Sequence, residues 1–146
     1  MPIPAPFPGL VIGYSYLWSH ERKKGMAEGV KDRPCAIVLV KSEDDGGHKI
    51  VTVAPITHSP NDPKRAVQLS PKLKRHLGLD DEASWIVLDE MNRFAWPGLD
   101  LRPISRRHPG VFSFGVLPID VFEQIKAVFN ELRAERVLTR VISREP

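Results

Sequence analysis

The sequence predicts a mainly β domain: a small, strongly bent antiparallel sheet or barrel with a C-terminal helix and a short helix inserted between strands. Three observations predict it. Short runs of β-branched and aromatic residues recur at close spacing. The 14 prolines, about twice the usual share, punctuate those runs. Only one long stretch has helical periodicity, and it comes late in the chain.

The elements follow in order. Gly9–Trp18 (GLVIGYSYLW) is the first strand, with Gly13 expected at a bulge or bend. Cys35–Val40 (CAIVLV) is unbroken apolar sequence, the pattern of a strand buried on both faces. Lys49–Ile56 (KIVTVAPI) is another, and Pro55, which has no N–H to give a ladder, should place its end at an edge or bulge. Ala66–Leu69 and Ser84–Leu88 add two more, and Val111–Val116 is a sixth candidate with Phe112 and Phe114 on the same face. Before Ser84, Ser70 suits an N-cap, Pro71 the first helical position and Gly78 the stop of a short helix. Pro118 and Asp120 open the long helix, predicted over 119–136. Phe122, Ile125, Phe129 and Leu132 form its apolar stripe, with Val128 widening it, and that stripe should pack on the sheet. Val137–Ile142 reads equally as helical extension or strand. Ser19–Lys31 and Ser42–His48, polar and glycine-bearing, are expected to be mobile.

A chain of 146 residues suits a single domain, 1–146, and buries about 68% of its unfolded surface without staples. A hydrophobic share of 42% and a charged share of 27% argue against disorder, and a net charge of +3 permits an anionic partner without requiring one. The single cysteine, Cys35, excludes an internal disulfide and a Cys-rich zinc site, and the five histidines show no helix-borne metal pair. No metal and no cofactor is expected. Residues 1–20 carry no Asp, Glu, Lys or Arg, yet Pro2, Pro4, Pro6 and Pro8 break any spanning helix and there is no cationic leader. Residues 1–8 therefore read as an extended arm, and the chain as cytoplasmic, without a membrane partner.

No phosphate-binding glycine loop, dinucleotide fingerprint or nucleophile elbow is present. The informative segments are two. GMAEGVKDRP (Gly25–Pro34) places Glu28 and Arg33 on a glycine-bearing loop at the mouth of the CAIVLV strand. A guanidinium there has the geometry to grip a phosphate with two parallel hydrogen bonds. VTVAPITHS ends a second apolar strand with Thr57 and His58.

Together, the pattern G-x-x-E-G-x-x-x-R-P before an apolar run and the later V-x-V-A-P-I-T resemble the PemK/MazF family of toxins from toxin–antitoxin systems. PGLVIGYSYLW resembles that family's opening strand, and SWIVLDEMNRF falls where a later strand with an acidic residue is expected; the resemblance spans about Pro8–Phe94. It implies an SH3-like barrel of the PemK/MazF/CcdB type, working as a homodimer, inhibited by a cognate antitoxin protein and meeting DNA only through that antitoxin. It implies sequence-selective, metal-independent cleavage of single-stranded RNA by attack of the 2′-hydroxyl on the adjacent phosphorus. The catalytic set it implies is Arg33, Thr57, Glu28 and Asp89. Arg33 would stabilise phosphoryl charge, Thr57 would donate a hydrogen bond, and Glu28 or Asp89 would serve as base. Ala27 stands where some relatives have a histidine, and Val87 where some have a catalytic arginine.

Substrate contacts are expected from His58, which is also chemically able to protonate the leaving group, and from Lys72, Lys74, Arg75 and Trp96. Lys72, Lys74, Arg75 and His76 form one basic cluster, and Arg102, Arg106, Arg107 and His108 another. Trp18 and Trp85 are further stacking candidates, and Trp96, beside Pro97 and Gly98, is expected to be the exposed one. Each residue also has an ordinary reading: Arg33 pairing with Asp32 or Glu28, Thr57 closing a turn, and the basic clusters as solvated faces. Two other functions stay open, a non-catalytic binding module on the same fold and a CcdB-like poison of DNA gyrase.

Overall fold

The fold is seen in a computed structural model that describes residues 3–26, 29, 31–42, 47–137 and 139–144. Among these, nine strands make one mainly antiparallel sheet, joined by three α-helices and a 3-10 turn. In chain order they are β1 (Leu10–Tyr14), α1 (Ser19–Lys23), β2 (Arg33–Ser42), β3 (Lys49–Thr57), β4 (Ala66–Gln68), α2 (Pro71–His76), β5 (Trp85–Val87), β6 (Glu90–Ala95), β7 (Leu101–Arg102), β8 (Ser113–Val116), α3 (Ile119–Ala134) and β9 (Arg140–Ser143). The path β4-β5-β3-β2-β1-β7 has two separate ends, so the described strands form an open sheet rather than a closed ring. No described helix is long and apolar enough to cross a membrane.

β1, β2 and β3 form the middle of the sheet, and both of its faces are covered. Val11, Ala36, Ala54 and Ile56 point into one cluster, where Leu73 and Leu77 of α2 and Ile125 and Leu132 of α3 meet them. Their strand neighbours Ile12, Tyr14, Cys35, Ile37, Val51 and Val53 point into a second cluster with Phe94 and Leu101. That is why these strands read as continuous apolar runs rather than alternating ones. A β-bulge at Val38 shifts the β2–β3 register, so Ile37 and Val40 both serve the second cluster although three positions apart, while Leu39 turns outward.

Local signals account for most elements. Ser70 Oγ accepts the Leu73 amide at 3.1 Å, Pro71 opens α2, and Gly78 ends it at φ +70°. Phe122, Val128 and Phe129 join Ile125 and Leu132 against the first cluster, so α3 packs on the sheet as its stripe predicts. The structure corrects some expectations and completes others. The first strand stops at Tyr14, and Ser19–Lys23, expected to be mobile, is the helix α1. Phe112 and Phe114 serve opposite clusters, because Phe112 precedes β8 and the β1–β8 register slips between Val11 and Ile12. Val137–Ile142 resolves toward strand: β9 pairs parallel with β6. Gly13 marks a close backbone approach, since a Cβ there would lie 2.5 Å from the Arg102 carbonyl oxygen.

Pro55 sits at a junction. β3 pairs with β6 through Val53 and with β5 from Ile56, leaving Ala54 and Pro55 without a partner on that edge. There β3 advances three residues while the opposing chain advances six. The surplus Val87–Met91 segment buckles, and it carries Asp89.

Among the described residues, Ser15–Trp18, after β1, lie in no strand. The Ser15 N–H donates to the Asp100 carbonyl at 2.9 Å, and side chains supply other partners. Asn92, fully buried, accepts from the Leu17 N–H at 2.9 Å and donates to the Leu17 carbonyl at 2.8 Å. Buried Arg144 donates to the Ser15 carbonyl (2.8 Å) and to Asn92 (2.9 Å), and pairs with Asp100 at 2.9 Å. Asn92→Ala strands both Leu17 groups and should cost about 2–6 kcal/mol, at roughly 1–3 kcal/mol per buried unsatisfied group. Urea unfolding will show this loss, whereas exposed Ser143→Ala should change stability by less than about 0.5 kcal/mol.

Candidate functional site

β2 begins and β3 ends at the same place. The register Cys35↔Pro55 and Ala36↔Ala54, continued outward, sets Arg33 opposite Thr57. The buckled link between β5 and β6 brings Asp89 beside them. Arg33, Thr57 and Asp89 line one cleft of about 370 Å³, together with Trp18, His20, Glu21, Lys31, Ser59, Asn61 and Glu90. A second recess of about 550 Å³ shares Lys31, Arg33, Thr57 and Ser59 and continues past His58, Leu79 and Asp80. Glu28 lies outside the described residues.

Arg33 is half-buried. Its guanidinium carbon lies 5.0 Å from the centre of the Trp18 ring, a cation–π contact, and its Nε is buried with no acceptor among the described residues. The surface pairing with Asp32 is not seen, because Asp32 lies 3.6 Å from Arg102. A desolvated donor on a permanent cation is costly until an acceptor arrives, which makes this wall of the cleft suited to an anion. Thr57 Oγ1 accepts the Ser59 amide at 3.2 Å, so the hydroxyl closes a turn, as its ordinary reading holds, and its proton remains available to a ligand.

Three carboxylates line the cleft, and their partners separate them. Glu90 is buried and accepts from Tyr16 Oη at 2.9 Å, the Ser19 amide at 3.1 Å and Ser19 Oγ at 3.1 Å. Glu21 accepts the Trp18 amide at 2.9 Å and so closes the first turn of α1. Asp89 has one long ion pair, 3.8 Å to Arg65 Nη1. Glu90 and Glu21 hold the Trp18–Ser19 corner, and Asp89 is the carboxylate best placed to accept a proton. Burial, then the adjacent Glu90, push the Tyr16 phenol far above its ordinary value, so it stays a neutral donor.

The other expected contacts scatter. His58 is engaged on both ring nitrogens, 2.8 Å to Asp80 and 3.0 Å to Glu82, and faces the second recess. These three residues are the described group in which ligand atoms come within 4.8 Å of one another. A cation there would compete with Lys74, whose ammonium is 2.5 Å from Asp80 and also donates to the Glu82 carbonyl. Lys74 is thus buried and committed inward, a correction to its expected role; Lys72 and Arg75 are exposed on the outer face of α2. Trp96 is also corrected. Its Nε1 donates to the Pro4 carbonyl at 3.1 Å and its ring stacks on Phe94, so it pins the N-terminal arm away from the cleft. Trp18 is the tryptophan in the cleft, and His20, which sequence reasoning missed, stands beside it.

No protein-family model matches the chain, and no curated protein matches it.

The Asp80 carboxyl is held below its ordinary range, first by the Lys74 hydrogen bond, with His58 assisting. A lowered folded value means that its contribution to stability is present above the unfolded value and is lost as pH falls through the folded one. Asp80→Asn should therefore destabilise most near neutral pH, and the difference from wild type should shrink below about pH 4. Urea unfolding at about pH 7 and about pH 3 checks this.

Proposed function

We propose that the protein is a metal-independent endoribonuclease that cuts single-stranded RNA by 2′-hydroxyl transesterification, the toxin of a toxin–antitoxin pair. The observation that carries the reading is the convergence, in one cleft, of the Arg33 guanidinium, whose Nε has no acceptor among the described residues, with the Thr57 hydroxyl and the Asp89 carboxylate. An RNA phosphodiester brings what this arrangement lacks: an anion for Arg33, an acceptor for Thr57 and a proton for Asp89. The proposal includes an SH3-like architecture of the PemK/MazF type, a homodimer, a cytoplasmic setting and restraint by an antitoxin that alone contacts DNA.

The mechanism follows from the residues. Asp89 takes the 2′ proton as the 2′ oxygen attacks phosphorus. Arg33 and Thr57 stabilise the charge that grows on the non-bridging oxygens, in a cleft where Trp18 excludes water from one side of the guanidinium. The products carry a 2′,3′-cyclic phosphate and a free 5′-hydroxyl. Arg33 supplies permanent positive charge at the phosphate, so no bound metal is required for that role.

Purified protein should cut a long single-stranded RNA in EDTA, with cyclic-phosphate ends read by mass spectrometry. Arg33→Ala should lower the rate by about 10²–10³-fold. Asp89→Asn should cost about 10²–10⁴-fold. Arg33→Lys should stay well below wild type, because an ammonium lacks the planar fork and the Nε donor. Absence of cutting by folded dimer on RNAs of varied sequence would overturn the nuclease reading in favour of a binding module or a protein poison.

A further inference from the structure

The transesterification leaves one proton unplaced. Resting on the nuclease reading of the same cleft, we propose that His20 is the general acid that protonates the departing 5′ oxygen. His20 is exposed on α1 and lines the cleft with Arg33, Thr57 and Asp89. Its ring lies 6.4 Å from the Trp18 ring at an interplanar angle of 19°. The Arg33 guanidinium carbon is 5.0 Å from the centre of the same indole. One aromatic side chain thus positions both the cation that holds the phosphate and the imidazole beside it.

Other donors in or near the cleft are excluded by their chemistry. A guanidinium holds its proton throughout the working pH range and is a poor donor of it. The Tyr16 phenol is buried, bound to Glu90 and pushed upward. His58 has both nitrogens engaged by Asp80 and Glu82. Lys31 lines the cleft as well, and an ammonium is a weak acid for this task at neutral pH. Imidazole is the side chain whose ordinary charge change falls between about pH 5 and 8. Among the described residues, the charged groups that line the cleft with His20 are Glu21 from its own helix, Lys31 and Arg33 from the entry to β2, and Asp89 and Glu90 from the β5–β6 link.

The step balances. The 2′ O–P bond forms as Asp89 takes the 2′ proton, the P–O5′ bond breaks with its electron pair on oxygen, and the His20 imidazolium transfers its proton to that oxygen. Asp89 ends protonated, His20 ends neutral, and exchange with water restores both.

A substrate whose 5′ bridging oxygen is replaced by sulfur tests the assignment, since a thiolate leaves without protonation. His20→Ala and His20→Gln should cut ordinary RNA about 10²–10⁴-fold more slowly than wild type. Both should cut the sulfur-bridged RNA at close to the wild-type rate. Arg33→Ala should be slow on both substrates. His20 variants slowed equally on both substrates would overturn the general-acid role, and undiminished cutting of ordinary RNA would remove His20 from the site. If wild-type protein cuts neither substrate, the nuclease reading falls and this assignment falls with it. Because His20 is exposed, unfolding curves matching wild type should accompany every variant.

Discussion

The cleft depends on the way β6 substitutes side chains for a missing strand. After Tyr14 the chain leaves the sheet, and its buried backbone groups would each be costly without partners. Asn92 presents an amide to Leu17 that mimics a backbone pairing, donor to carbonyl and acceptor to N–H. Two positions earlier, Glu90 receives the Ser19 amide and hydroxyl and the Tyr16 phenol. Between those two anchors Trp18 has no freedom to turn away, and Glu21 sets the first turn of α1 directly after it. The rigid wall that holds Arg33 and carries His20 is therefore a consequence of polar satisfaction, not of apolar packing alone.

Arg144 extends the same network to the other end of the chain. Its guanidinium reaches Ser15, Asn92 and Asp100, and lies 5.5 Å from the centre of the Tyr14 ring. The parallel pairing of β9 with β6 delivers it there. A fork of fixed planar donors suits three acceptors at once better than a lysine would. The first strand and the last are thus tied through one side chain.

Much of the fold was legible. The apolar runs at Cys35–Val40 and Lys49–Ile56, the Ser70-Pro71 start of α2 and the stripe of α3 all form the elements their patterns predict. What was not legible depends on long-range partners. Nothing local in SHERK marks a helix that Glu21 and Glu90 help to fix from both sides, so His20 went unnoticed. Lys74 reads as a solvated cation until the loop after α2 folds Asp80 and the Glu82 carbonyl onto it. Trp96 reads as exposed until the proline arm lies back across it. The grouping of Arg33 with Thr57 came from a resemblance, and strand register accounts for it in physical terms. Asp89 depends on the mismatch opposite Pro55, which no periodicity reveals.

The shape of the site bears on the kind of substrate it suits. The two recesses, about 370 Å³ and about 550 Å³, meet at Lys31, Arg33, Thr57 and Ser59. A small metabolite would be gripped within one compartment, with its charged group at a closed end. Here the guanidinium and the hydroxyl stand at the waist between two open compartments, and an anion seated at them extends naturally both ways. A phosphodiester within a chain has that geometry: one charge, with a nucleoside on either side. Trp18 and His20 would face one nucleoside, and Phe114 and Leu79 the other. Stacking on aromatic faces tolerates any base. Sequence selectivity on this site would thus have to come from polar groups at the recess walls, Asn61 on one side and Asp32 and Ser84 on the other.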